Sequence, residues 1–480
     1  MLWLALHFPA LALDVHARGA RVPLPLAIAS SPGTNAVVLA CNDSAHRRGV
    51  RPGMPLAAAC ALASELAVAE RDIEAERSAL ERVAAWALQF TPAVSIAPPA
   101  EVLLEIAGSF KLFGGFNRLC TRIENGLAEL GYRATLACSP TPLAAQLFAR
   151  AGLSARVQHR DALRASLGPL PVDTLGLSPE SGALLRAIGA STLDDCLRLP
   201  RDGVARRFGR ELLDILDRAL GHAPDPRPNF TPPANFVAPL MLPAPVHEAG
   251  QLLFAARRLL TELCGFLSAT GNGVQRLALV LKHEDCADTR LTLDLSAATR
   301  DSGHLASVLR ERLERLSLPR PATAVTLESE LLLPVASRNL SFLPDGREHA
   351  EAVCRLIERL RARLSADAVK GLDTAADYRP ERAWRICEPG NGHGVEDTQP
   401  PARPLWLLAS PQPLREIGAV PHYQGTLALL AGPERIESGW WDGADIARDY
   451  FIARNPAHAL LWVYRERRHD GGWYLHGFFA

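Results

Sequence analysis

Lysine is nearly absent from this chain, confined to Lys111, Lys282 and Lys370. Arginine therefore carries almost all the positive charge, and 52 basic residues against 52 acidic ones leave a formal net charge of +0. Such a balance excludes a general electrostatic pull on nucleic acid, so any surface that grips phosphate has to be a local cluster. The preference for arginine is what a GC-rich coding sequence produces and does not by itself indicate phosphate forks. Long apolar runs are lacking too, because Pro9 and Asp14 interrupt the first one well short of a membrane span. No basic leader precedes that run, and the expectation is a cytoplasmic protein with no membrane segment. The nine cysteines stand singly, with no C-x-x-C pair and no Cys/His spacing of a zinc site. Buried thiols in a reducing compartment account for them, and neither a metal nor a cofactor is expected.

What is present suffices for several cores. At 480 residues with 48% hydrophobic composition, the chain is expected to form three or more domains. Residues 2–8 alternate as an apolar strand, and 36–40 form another short one. Residues 73–90 place apolar side chains at helical spacing behind an acidic first turn. A helix over 116–130, a strand over 134–138 and an alanine-rich helix opened by Pro142 follow. From Pro169 short helices alternate with glycine turns, and Leu184 to Asp195 has the form of a helix-hairpin-helix. Such a hairpin offers backbone amides at a helix N-terminus to a DNA phosphate, and Arg206, Arg207 and Arg210 behind it are candidate contacts.

Dense prolines between 224 and 245 suit an extended tether. After it come a strand (236–241), helix (247–269), strand (274–283), strand (289–296), helix (302–316) and strand (324–333), a β-α-β-β-α-β order. Arg276, Lys282 and Arg290 on its paired strands are candidate DNA contacts, with Arg276 and Lys282 on one face because their separation is even. The segment from 377 onward alternates aromatic and β-branched residues between Gly and Asn-Pro turns, as a small, mostly β module with an aromatic core would. Asp442, Asp445, Asp449 and His476 within it match no metal-ligand spacing, and Glu434 and Glu437 around Arg435 read as local ion pairing.

Three segments resemble the Y-family DNA polymerases. Leu2 to Pro9 is similar to the first palm strand of that family, which carries an Asp where Ala5 stands. Ser95 to Ser109 resembles its second palm motif, in which an Asp-Glu pair occupies the positions of Ala100 and Glu101. Gly49-Val50-Arg51-Pro52-Gly53-Met54-Pro55 resembles the G-V-x-x-G-M-P run that opens the fingers. The same resemblance puts the Tyr and Arg that grip a nucleoside triphosphate at Asp43 and His46, and the aromatic steric gate at Ala10. It implies a palm stripped of its metal ligands. Two-metal chemistry needs several oxygen ligands in near-octahedral geometry, which Glu101 alone cannot provide. Asp14 and Glu105 are the nearest other carboxylates, and neither restores the missing pair. The alternative is an active lesion-bypass polymerase with relocated ligands.

The tail adds a narrower resemblance. Tyr378 to Trp384, Gly432 to Gly443, Arg448 to Phe451, Leu461 to Tyr464 and Trp473 to Phe479 are similar to the C-terminal region of the ImuB family of bacterial mutagenesis proteins. That family implies a non-catalytic hub of damage-induced SOS mutagenesis and translesion synthesis on DNA. Its expected partners are the sliding clamp (β subunit), a RecA-like ImuA-type protein and an error-prone replicative-type DNA polymerase. Asn339-Leu340-Ser341-Phe342-Leu343 resembles the clamp-binding motif of that family. The organisation expected is α/β and multidomain: palm and fingers (1–165), a helical thumb with the helix-hairpin-helix (166–225) and a little finger (235–335). A clamp-motif segment with a helix (336–376) and a partner-binding module (377–480) complete it.

Overall fold

A computed structural model describes residues 1–19, 24–30, 36–335, 346–390, 402–468 and 471–479. The apolar alternation near the start becomes β1 (Trp3–His7), followed by α1 (Leu11–Ala17). The chain then builds the fingers from β2 (Leu26–Ala29), β3 (Val38–Cys41), α2 (Asp43–Arg47), α3 (Leu56–Leu62) and β4 (Ala67–Glu70), with the strands in the order β3-β2-β4. In the Gly-Val-Arg-Pro-Gly-Met-Pro run Val50 fills the small fingers core, while Gly49 and Gly53 turn the backbone at φ +96° and +82°. A side chain at either position would be strained.

The palm resumes with α4 (Ile73–Ala87), β5 (Val94–Ala97), β6 (Glu101–Glu105), α5 (Phe110–Phe113), α6 (Phe116–Leu130), β7 (Thr135–Ser139) and α7 (Pro142–Arg150). Asp72 caps α4 by accepting from the Ala75 N–H, and Thr141 caps α7 ahead of Pro142. The strands pair antiparallel in the order β5-β6-β1-β7. Strand alternation divides this sheet between two cores. Leu4, Leu6, Phe8, Val102 and Leu104 pack towards α4 and α6, whereas Ala5, Ala97, Leu103 and Ala137 pack with the alanines of α7 and the thumb.

The thumb comprises α8 (Leu163–Leu167), α9 (Pro179–Ala187), α10 (Leu193–Arg198), α11 (Arg201–Phe208) and α12 (Glu211–Leu220). Helices α9 and α10 form the expected hairpin, but its amides are not open to a phosphate. Gly189 and Ala190 N–H bond back to α9 carbonyls, and Ser191 and Thr192 N–H donate to Asp195 Oδ2 at 3.1 and 2.9 Å. Asp195, in a reciprocal capping box with Thr192, already supplies the anion.

The proline-rich stretch is extended, yet fastened rather than loose. Phe230 packs on the palm core and donates its N–H to Val94 O at 2.7 Å, and Asp225 accepts from the Leu143 N–H at 3.1 Å. The first little-finger strand, β8 (Val237–Val246), continues five residues past the expected end despite Pro243 and Pro245. It lies at the edge of the sheet β10-β9-β11-β8, where a missing N–H leaves no neighbour unpaired. The rest follows the expected order: α13 (Leu253–Thr270), β9 (Asn272–His283), β10 (Thr289–Thr299), α14 (Ser302–Glu314) and β11 (Ala322–Pro334).

Palm, fingers, thumb and little finger belong to one compact unit, Met1–Glu351. Trp86 of α4 holds α6 and α13 close, because Gly126 and Gly265 present no Cβ to its indole. Beside it Arg18, 2% exposed, donates to Tyr132 Oη (2.6 Å) and Leu130 O (2.8 Å) and forms a buried ion pair with Glu262 of α13. Removing one partner of such a pair strands the other charge, at a cost of roughly 3–5 kcal/mol.

The second unit, Ala352–Ala480, takes in most of α15 (Gly346–Leu364). A two-stranded ribbon of β12 (Gly371–Thr374) and β13 (Trp384–Cys387) follows. Next come β14 (Trp406–Pro413), the hairpin β15 (Arg415–Ile417) and β16 (Val420–His422), then β17 (Ala428–Ser438), β18 (Ile446–Arg454), β19 (Leu460–Glu466) and β20 (Trp473–Phe478). The main sheet is antiparallel in the order β14-β20-β19-β18-β17. One face buries Leu461, Val463 and Leu475, the other Tyr450, Trp462 and Tyr464, with Tyr450 stacked on Trp462 at 4.1 Å.

Candidate functional site

Ala5 lies mid-strand in β1, opposite Leu103 of β6 and Ala137 of β7, and is fully buried. Ala100 ends the β5–β6 turn, its carbonyl accepting the Phe8 N–H at 2.8 Å. Glu101, which opens β6 opposite His7, is 1% exposed, and both of its carboxylate oxygens are committed. Oε1 lies 2.5 Å from Arg150 Nε, and Oε2 lies 2.7 Å from Arg150 Nη2 and 2.6 Å from Gln146 Nε2. His7 Nδ1 approaches to 3.4 Å. Gln146 in turn accepts from Arg227 at 2.9 Å, and Arg227 pairs with Asp225 at 2.7 Å. Burial pushes the Glu101 carboxyl up, but the contacts with His7 and Arg150 outweigh burial and hold it below its ordinary value.

The Arg150 guanidinium thus compensates the charge of the buried Glu101 carboxylate. A magnesium ion here would have to displace a charge-assisted bidentate pair and would then find no second carboxylate. Among the described residues no group of three or more His, Cys, Asp or Glu side chains is placed to hold a metal. Glu105 shares the face of Glu101 but lies four residues along β6, roughly 13 Å away, and accepts from the Leu2 N–H at 2.9 Å. Asp14 belongs to α1, where burial raises its pKa to about 7. Asp43 pairs with Arg133 at 3.1 Å, His46 is exposed, and Ala10 precedes α1 as its N-cap.

Sequence reasoning missed Gln146, Arg150, His7 and Arg227. One signal was available for two of them: Gln146 and Arg150 are the polar side chains of an otherwise apolar helix and, four apart, share one face.

The candidate DNA contacts fall into two electrostatic settings. Arg206 and Arg207 in the last turn of α11, and Arg210 before α12, are exposed and free of ion pairs among the described residues. Arg276 and Lys282 are both exposed on one face of β9 as their spacing requires. There, however, Arg276 pairs with Asp294 at 2.5 Å, and Arg290 pairs with Glu328 and Glu330 at 2.9 and 2.5 Å. This sheet face carries as many acids as bases. The pentamer Asn339, Leu340, Ser341, Phe342 and Leu343 lies outside the described residues.

In the C-terminal unit each singled-out acid has an arginine. Asp442 bonds Arg379 and Arg382, Asp445 pairs with Arg468, and Asp449 accepts from Arg435 at 2.9 Å. Glu434 and Glu437 do pair, with Arg403 and Arg467 rather than with Arg435 between them. His476 stacks on Trp462, touches Tyr450 Oη at 2.8 Å and has its pKa pushed down to about 4 by burial. Among the described residues no helix is long and apolar enough to cross a membrane.

Comparison with known proteins fits this architecture. The impB/mucB/samB family profile matches residues 21–150, spanning fingers and palm. Protein ImuB of Caulobacter vibrioides is 28% identical over 457 residues, covering 90% of this chain and all of that protein. DNA polymerase IV of Alkaliphilus oremlandii is 25% identical over 207 residues, 42% of this chain and 52% of its own length. Among solved structures, a Dbh ternary complex with partially disordered substrates aligns at 18% identity and a TM-score of 0.40, over 70% of this chain and 100% of its own. DinB from Sulfolobus solfataricus aligns at 18% identity and a TM-score of 0.37, over 69% and 98%. The chain is thus similar to the impB/mucB/samB family across its fingers and palm, and to protein ImuB over 90% of its length.

Proposed function

We propose that this chain is a non-catalytic accessory protein of damage-induced mutagenesis and translesion synthesis, acting in the cytoplasm on DNA. The observation that carries the reading is the Glu101–Arg150 fork, which commits to an arginine the one carboxylate among Ala5, Ala100 and Glu101. The protein is accordingly a hub. Its thumb, including Arg206, Arg207 and Arg210, and its little finger, including Arg276, Lys282 and Arg290, touch DNA. Asn339 to Leu343 engages the sliding clamp, and residues from 377 onward engage a RecA-like ImuA-type protein and an error-prone replicative-type polymerase. The thumb arginines are the stronger DNA candidates, since phosphate must compete with carboxylates for Arg276 and Arg290.

Primer extension tests the loss of catalysis directly. The purified chain should add no nucleotide with magnesium or manganese. Template-directed incorporation that disappears in Glu101→Gln would replace the accessory reading with that of an active lesion-bypass polymerase.

A further inference from the structure

A cavity of about 570 Å³ opens where α5 turns into α6, at the end of the palm. Lys111, Arg118 and Arg122 line it, together with Leu112, Phe113 and Asn117, and no lining residue is acidic. All three cations are exposed, and none is held in an ion pair among the described residues. Arg118 and Arg122 stand one turn apart on the same face of α6, about 6 Å along its axis. Arg118 folds back over Gly114, where φ is +73° and an added Cβ would meet its Nη1 at 3.0 Å. A fourth cation, Arg156, bonds Asn117 Oδ1 at 3.2 Å while stacked over the Phe116 ring. The N-cap of α6 is Gly115, with no side-chain cap, so the positive end of the helix faces the same region. This positive charge is uncompensated, unlike that of Arg276 and Arg290 in the little finger, which carboxylates neutralise.

We infer that this cleft binds the phosphodiester backbone of a single DNA strand, at a site separate from the thumb and little finger. The inference rests on the DNA-binding part of the proposed function. Concave positive charge selects a polyanion, and Leu112 at the rim, 79% exposed, offers apolar contact to bases that only an unpaired strand presents.

The test uses the full chain carrying Lys111→Gln, Arg118→Gln and Arg122→Gln, titrated against fluorescent oligothymidylate over a range of salt concentrations. Removing one phosphate-binding cation should reduce the slope of log K against log salt by about 0.7, so the triple variant should fall by roughly 2 units of slope. Leu112→Ser should weaken binding several-fold with the slope unchanged. A folded triple variant with wild-type slope overturns the site, and an unaffected Leu112→Ser overturns its assignment to an unpaired strand. Should the triple variant melt early, Arg122→Gln alone must still lower the slope by about 0.7, and no change there overturns the site equally. Wild-type protein that binds no DNA overturns the DNA-binding reading and this site together, whereas wild-type binding indifferent to these substitutions overturns this site alone.

Discussion

A carboxylate with 1% of its surface exposed needs a counter-charge, and at Glu101 that charge is the guanidinium of Arg150. If the pair holds the palm together, Arg150→Met leaves a buried anion without its cation, and stability should fall by about 3–5 kcal/mol in urea unfolding. Adding Glu101→Gln to the same chain should recover most of that loss, because an amide needs no cation and can still bond Gln146. A double variant as unstable as the single one would assign the effect to the packing of the Arg150 side chain instead. The two halves of this site were not equally legible. Ala5 and Ala100 draw attention in the sequence only through the resemblance to polymerase motifs that carry a carboxylate at those positions. Arg150 does not, since its partner lies 49 residues away and the two meet only once α7 lies across the sheet.

Elements were legible wherever local chemistry determines their ends. Helix α6 spans 116–130 as its apolar spacing indicates, between Gly115 and Gly131, and the little-finger order follows from alternation and helical period. Misreadings arose where tertiary context overrides local preference. Proline disfavours a strand, yet β8 continues through Pro243 and Pro245 because it is an edge. Helix N-termini attract phosphate, yet Asp195 occupies the thumb hairpin amides from within. The packing of α13 on α4 is likewise invisible in sequence, although it depends on one atom. A Cβ on Gly265 would lie 2.2 Å from Trp86 Cδ1. Gly265→Ala should therefore destabilise the first unit, by about 1–3 kcal/mol through overpacking, even though alanine is the better helix former. Thermal unfolding decides this, and a stabilised variant would mean that Trp86 moves aside freely.

At the scale of the whole molecule, two compact units separate the polymerase-like framework from the tail, and their boundary bears on how partners are dissected. The expected module border at 376/377 falls between β12 and β13, which pair with each other, so a cut there would split a ribbon. A chain ending at Glu351 keeps the first unit and the pentamer while removing the second unit. On the hub reading this shortened chain should still bind the sliding clamp and should lose the RecA-like and polymerase partners. In the full chain, Leu340→Ala, Phe342→Ala and Leu343→Ala together should have the opposite effect. Burying each anchor contributes roughly 1.5–3 kcal/mol, and every 1.4 kcal/mol is tenfold in affinity, so clamp binding should fall by at least about 1,000-fold. The other two partners should be retained and the thermal transition left in place. Surface-immobilised clamp measures the first effect and calorimetry the last. A triple variant that unfolds would make those side chains part of a core, and one that folds and still binds would move the clamp contact elsewhere in the chain.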